Sequence, residues 1–147
     1  MDFDSPLTNY DLLDIAEDIE IHGLEIYMKD EIKKIKNAIP YILNLDSSEN
    51  EGTHWVALRK MNKIIYYFDP YGYPPPQEII DLSLGESIIY SLKEVQHPDS
   101  ILCGYFCIAF LYYVLSEEEF SEFLDLFSDD KHKNDKIIKK IYHDTEY

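Results

Sequence analysis

The sequence lacks most of what would staple a protein, anchor it in a membrane or attract it to nucleic acid. Cysteine occurs only at Cys103 and Cys107. That excludes a disulfide framework, and a pair four apart on one helix would tie nothing distant together. Arginine occurs once, at Arg59, and Lys plus Arg total 13 against 29 Asp plus Glu, a formal charge of −16. Nucleic acid is held through Lys and Arg, so a phosphate-tracking surface is disfavoured, and anionic membrane surfaces for the same reason. No run reaches the ~20 apolar residues of a spanning helix. The start, Met1-Asp2-Phe3-Asp4, is acidic and leads into no apolar stretch, so a non-secreted protein in a reducing compartment is expected.

What is present is enough to fold. The 147 residues suit a single domain, 1–147, and 46% hydrophobic with 14% aromatic residues is too apolar for a disordered chain. Thr8 can cap a helix running to Ile19, with Leu12, Leu13, Ile15, Ala16 and Ile19 at helical spacing and Gly23 ending the unit. Asp30 to Ile39 predicts a second short helix, stopped by Pro40. Tyr41 to Leu45 predicts a strand and Asp46 to Gly52 a loop. His54 to Lys60 and Lys63 to Asp69 predict a hairpin turning near Met61-Asn62, although no Gly supplies the usual turn chemistry.

Pro70 to Pro76 must be a rigid loop, because three consecutive prolines remove donors and hold φ near −65°. Gln77 to Leu84 reads as a short helix, Ser87 to Ser91 as a strand, and Gln96 to Ser100 as a loop. From about Ile101 to Leu115 the chain is apolar on nearly every face, the mark of a central buried helix. Ser116 with Glu119 is a capping pattern for the next helix, and Asp129 to Tyr142 a last amphipathic one with Lys133, Lys136, Lys139 and Lys140 outside. The class expected is α+β: a small mixed, mostly antiparallel sheet packed by helices, with a central buried helix starting at Cys103.

Chemistry concentrates at four positions. Cys103 opens the buried helix, where the helix dipole and free N–H groups favour a thiolate; such placement beside an imidazolium lowers a thiol from about 8.5 to about 3.5–7.5, so labelling by iodoacetamide at pH 6 is expected. Taken alone, Cys103 and Cys107 read first as small apolar core residues, and Cys107, one turn further into the helix, keeps that reading. A nucleophile needs a base and the base an orienter. His54 opens one hairpin strand and Asp69 closes the other, which puts them opposite each other at one end of the hairpin, with the carboxylate expected on imidazole Nδ1. Asp69 before Pro70 also reads as a turn-forming residue, and His97 competes with His54. Gln96, on the loop entering the helix, offers a neutral side-chain donor which, with the Cys103 N–H, suits an oxyanion. Gly104 allows close approach of another backbone or a substrate.

These residues resemble the adenovirus-type cysteine proteases, within the larger group that includes the SUMO-deconjugating Ulp proteases. The matching pieces, in family order, are Gly52 to Ala57, Tyr67 to Gly72, and above all Gln96 to Cys107. Leu7 to Asp11, Met28 to Glu31 and Pro74 to Pro76 look most like the proteases of Polinton elements and virophages. The resemblance implies the adenain/Ulp-like fold, His54 as general base, Asp69 as its orienter, Gln96 as oxyanion donor and Cys103 as nucleophile. It also implies Trp55 beside the histidine, and a substrate surface including Trp55 and Gly104.

The chain departs from adenovirus proteases in carrying Asp69 where they have Glu. It has no cysteine between Asp69 and Gln96 to receive their disulfide-linked peptide cofactor. Its charge also argues against their use of DNA. The function expected is a viral cysteine endopeptidase that cleaves capsid and virion precursor proteins, monomeric, without cofactor or metal, active in the host cytoplasm or virus factory and in the virion. A ubiquitin-like or SUMO deconjugating protease is the alternative; an inactive binding module and a zinc site from Cys103, Cys107, His54 and His97 rank below it.

Overall fold

The computed structural model describes Phe3, residues 5–46 and residues 54–145. Five strands form one sheet in the order β1-β2-β3-β4-β5, with β1 Glu25–Met28, β2 Pro40–Asn44, β3 Trp55–Met61, β4 Ile64–Phe68 and β5 Ser87–Tyr90. The inner pairs β2–β3 and β3–β4 are antiparallel and the outer pairs β1–β2 and β4–β5 are parallel. Among the described residues the helices are five: α1 Asn9–Asp18, α2 Gln77–Leu82, α3 Cys103–Tyr113, α4 Glu117–Asp125 and α5 Lys131–Thr145. The α+β class with helices packed on a mixed sheet is therefore as expected.

Alternation along the strands divides the core in two. Tyr41, Leu43, Val56, Leu58, Ile65 and Tyr67 face one side, where Ile79 of α2 and the segment carrying Ile32 and Ile35 cover them. Ile42, Trp55, Ala57, Tyr66 and Phe68 face the other, against α3 and residues of α1, α4 and α5. Phe68 stacks on Phe110 with ring centroids 5.2 Å apart and meets Phe123 edge-on at 5.3 Å. This aromatic packing fixes the end of β4 and so the position of the residue that follows it, Asp69.

Three expectations are corrected. Residues 30–39 are not helical; they cross from β1 to β2, the connection that parallel neighbours require. Ile32 and Ile35 are buried there in irregular chain, and the backbone is satisfied from outside, Lys36 N donating to Tyr41 Oη at 2.9 Å and Ala38 N to Lys60 O at 2.7 Å. The hairpin turns at Asn62-Lys63, one residue later than expected, since Met61 pairs with Ile64. Both turn residues carry positive φ, 52° and 68°, as a two-residue turn demands even without Gly. β1 was not anticipated, and its half-buried residues show no alternation to betray it. Apart from Asp46, the predicted loop 46–52 lies outside the described residues.

The capping signals hold. Thr8 caps α1 reciprocally with Asp11, and Ser116 Oγ accepts from Glu119 N at the start of α4. α3 begins at Cys103 and is buried from there to Leu111. Among the described residues no helix is long and apolar enough to cross a membrane.

β3 and α3 run the same way. Trp55 at the start of β3 lies against the first residue of α3, while Arg59 near the far end donates through Nη1 to Leu111 O at 2.8 Å and Val114 O at 3.1 Å. The lone arginine thus caps the C-terminal carbonyls of the buried helix, where a cation is favoured by the dipole and the acceptors have no water to turn to. Arg59→Met should lower stability by about 2–4 kcal/mol, because it strands two buried acceptors, and Arg59→Lys by less. Urea unfolding checks this; a loss below ~1 kcal/mol would mean those carbonyls find other donors.

Candidate active site

The ladder of β3 with β4 pairs Ala57 with Phe68, and its continuation sets Asp69 opposite Val56, two positions from His54. The two side chains are thus diagonal rather than directly opposite. Diagonal neighbours remain within reach of a long side chain. His54 Nε2 meets Asp69 Oδ1 at 2.9 Å. The carboxylate therefore takes Nε2, not Nδ1 as expected, and leaves Nδ1 for other work. His54 is itself pinned through its carbonyl, which accepts from Leu45 N at 2.9 Å.

Asp69 is only 1% exposed. Its Oδ1 also accepts from Tyr71 N at 2.8 Å, so the turn-forming role and the histidine-orienting role coincide in one oxygen. Its Oδ2 is buried and has no hydrogen-bond partner among the described residues. The turn is tight: Gly72 N donates to Asp69 O at 2.8 Å, Gly72 has φ +78°, and a Cβ there would stand 2.8 Å from Leu92 O. Only glycine fits both conditions.

The same turn holds the Gln96 loop, since Pro70 O accepts from both Val95 N and Gln96 N at 3.0 Å. Gln96 is buried, and its Nε2 donates to Ser100 O at 3.0 Å while Oε1 has no partner among the described residues. That bond assigns the amide orientation, since Ser100 O can only accept. The second Nε2 proton is left over. His97 is turned elsewhere: its ring lies 4.0 Å from that of His132, and its Nδ1 accepts from Asp99 N at 3.1 Å.

Cys103 is 6% exposed, with backbone N–H groups of Trp55, Gly104 and Cys103 itself directed at the thiol. The Trp55 N–H belongs to the peptide group that joins it to His54. That contact unites the start of β3 with the start of α3. Burial nevertheless pushes the Cys103 thiol up from its ordinary value, ahead of the opposing pull of those donors, with the Asp69 charge adding to the rise. The lowered thiol expected from helix position alone is corrected accordingly, because desolvation of the anion outweighs the favourable dipole. Cys107, one turn deeper, is fully buried and pushed up further.

A cleft of about 320 Å³ opens beside His54 and Gln96, walled by Tyr71, Tyr73 and Pro98 and by Glu94 with Lys131. Tyr71 and Tyr73 stand edge-on to the imidazole at 5.0 and 6.5 Å. Trp55 and Gly104 do not reach that cleft. The chain's own Leu7 covers both: Trp55 Nε1 donates to Leu7 O at 3.2 Å, and a Cβ on Gly104 would lie 3.1 Å from the side chains of Leu7 and Leu12. The close approach at Gly104 is thus used by the protein's own N-terminal segment. Tyr71 and Tyr73 were legible in principle, two and four residues after Asp69; Glu94 and Lys131 carried no local signal. Among the described residues no three His, Cys, Asp or Glu side chains converge to hold a metal.

No protein-family profile and no curated protein matches this chain. Solved structures do. The selenomethionine form of the ASFV pS273R protease superposes with a TM-score of 0.58 at 16% identity, covering 91% of this chain and 67% of that one. A second crystal structure of the same protease gives 0.56, 16%, 91% and 66%. The SUMO protease Ulp1, with its catalytic cysteine oxidised to a sulfinic acid, gives 0.49, 15%, 97% and 80%. The chain spans about two thirds of the viral protease's length, and at this identity the likeness establishes the α+β fold.

Iodoacetamide should label Cys103 at a rate that is slow at pH 7 and still climbing above the range where an ordinary thiol has ionised, since burial raises this one. Cys107 should stay unlabelled until the protein unfolds. A rate that has already levelled off at pH 6 would reveal a preformed thiolate.

Proposed function

We propose that this chain is a cysteine endopeptidase of the adenovirus and virophage kind, acting on viral capsid and virion precursor proteins. The carrying observation is the buried Asp69 bonded to His54 Nε2 beside a helix that starts at Cys103. His54 Nδ1 takes the thiol proton as Sγ attacks the peptide carbonyl carbon. The second proton of Gln96 Nε2 and the Cys103 N–H donate to the oxyanion of the tetrahedral intermediate. As that collapses, the C–N bond breaks, protonated His54 gives its proton to the leaving amine, and a thioester remains on Cys103. Water, deprotonated by His54, hydrolyses it and restores the thiol.

Burial disfavours a resting thiolate, so in this reading proton transfer to His54 accompanies attack. Asp69 supports the positive charge that forms on the imidazole, and its seclusion from water strengthens that support. The fold shared with a viral protease agrees with this chemistry. The formal charge of −16 agrees with a protein rather than nucleic-acid partner. Trp55 and Gly104 are assigned no substrate contact, since Leu7 covers them. The host cytoplasm, virus factory and virion are where such substrates reside.

Mass spectrometry of capsid precursor incubated with the protein should show discrete cuts that vanish in Cys103→Ala and His54→Ala. Gln96→Ala should lower kcat by about 10²–10³ as one oxyanion donor is lost. Cleavage retained by Cys103→Ala would overturn the reading. Faster turnover of ubiquitin-like fluorogenic substrates than of capsid protein would shift it to deconjugation.

A further inference from the structure

Lys131, Asn134 and Asp135 sit at i, i+3 and i+4, on one face of the first turn of α5, and all three grip the segment that carries Gln96. Lys131 Nζ lies 2.7 Å from Glu94 Oε2. Asn134 is fully buried and uses its whole amide: Nδ2 donates to Val95 O and Ser128 O, both at 2.8 Å, and Oδ1 accepts from Ser128 N at 2.7 Å. Asp135 Oδ1 accepts from Ser100 Oγ at 2.9 Å. One helical turn therefore holds both ends of the loop, Glu94-Val95 ahead of Gln96 and Ser100 behind it.

Ser100 is the hub of this arrangement, and each of its polar atoms is engaged. Its N donates to His97 O at 2.9 Å, closing the turn 97–100. Its carbonyl accepts from Gln96 Nε2 at 3.0 Å. Its hydroxyl donates to Asp135 and accepts from Leu102 N at 3.2 Å, the residue that caps α3 just before Cys103. The carbonyl that aims the Gln96 amide and the hydroxyl that sets the entry to α3 thus belong to one residue, and Asp135 is what orients that hydroxyl.

We propose that Asp135, acting through Ser100, is a positioning residue that aims the Gln96 side-chain amide, and that the first turn of α5 is the brace of the oxyanion loop. The proposal rests on the peptidase reading of the site. Asp135 touches no reacting atom. Its effect belongs in the transition state, where an amide swung by a fraction of an ångström no longer meets the developing charge, while binding of the ground state is little altered.

The test compares Asp135→Ala, Asp135→Asn and Ser100→Ala on a fluorogenic peptide amide ending in Gly-Gly, each also combined with Gln96→Ala. Asp135→Ala should lower kcat about tenfold with KM within twofold. Asp135→Asn keeps an oxygen acceptor for Ser100 and should retain at least half of kcat. Ser100→Ala should behave like Asp135→Ala. In the Gln96→Ala background, Asp135→Ala should cost less than about twofold more, since the group it aims is gone. An undiminished loss in that background, or Asp135→Asn as impaired as Asp135→Ala, would overturn the proposal.

A second readout needs no activity. The Gln96 side-chain amide protons, followed by nitrogen-15 NMR, should exchange slowly with solvent in the wild type and Asp135→Asn, and quickly in Asp135→Ala and Ser100→Ala. Unchanged protection refutes the brace even if no substrate is ever cut. A wild type that hydrolyses no peptide while showing this pattern would sink the peptidase reading and keep the brace.

Discussion

The arrangement depends on β3 lying along α3 in the same direction, so that the two begin together. A strand advances about 3.3 Å per residue and a helix 1.5 Å, so the four steps from Trp55 to Arg59 match the eight from Cys103 to Leu111. Arg59 fastens the far end by bonding the last carbonyls of the helix. The near end is fastened by the Trp55 N–H directed at the Cys103 thiol. The start of β3 and Cys103, almost fifty residues apart in the chain, come together because the two elements are in register along their length.

Around that junction polar groups are buried with incomplete satisfaction. Among the described residues Asp69 Oδ2, Gln96 Oε1 and Tyr67 Oη have no partner, and burial, with the Asp69 charge adding to it, raises the Tyr67 hydroxyl. Other buried polar side chains are well served, Asn134 through both amide atoms and Arg59 through two carbonyls, although Asn44 Nδ2 and Glu86 Oε2 also lack partners among the described residues. Unpaired groups in the interior oppose folding by about 1–3 kcal/mol each, and a fold tolerates them where their field is put to use. At Asp69 that field falls on the His54 imidazole bonded to it. It also falls on the Cys103 thiol, where it adds to the rise that burial causes.

Much of this was legible in the residues because it is local. Thr8 and Ser116 announce helix starts by capping chemistry, the all-apolar run after Cys103 announces a buried helix, and Pro74-Pro75-Pro76 forbids regular structure. The His54–Asp69 contact was legible from hairpin length, although its diagonal register depended on a turn at Asn62-Lys63 that no glycine marks. What stayed hidden is non-local. The crossover at 30–39 mimics a helix because Ile32 and Ile35 are three apart, yet its burial is set by the sheet face beneath it. The thiol's environment depends on how deeply α3 is buried, which helix position alone does not disclose. The brace from α5 is more than thirty residues from the loop it holds, and Asn134 and Asp135 look in sequence like ordinary polar residues of an amphipathic helix.

The short acid at position 69 has a local cause. Its Oδ1 serves two donors at once, His54 Nε2 at 2.9 Å and Tyr71 N at 2.8 Å, and the second bond closes a turn over Pro70. Of the two carboxylates, the Asp length is the one that bonds the backbone two residues on in this way. A glutamate has one more methylene; it could follow the imidazole or the turn, and satisfying the first would release Tyr71. That turn also presents Pro70 O to Val95 N and Gln96 N and forces Gly72 against Leu92. Lengthening the acid would therefore loosen the attachment of the Gln96 loop as well as the histidine's partner. The carboxylate is short because it is a hinge point for two segments of the site, and its hold on the imidazole follows from that geometry.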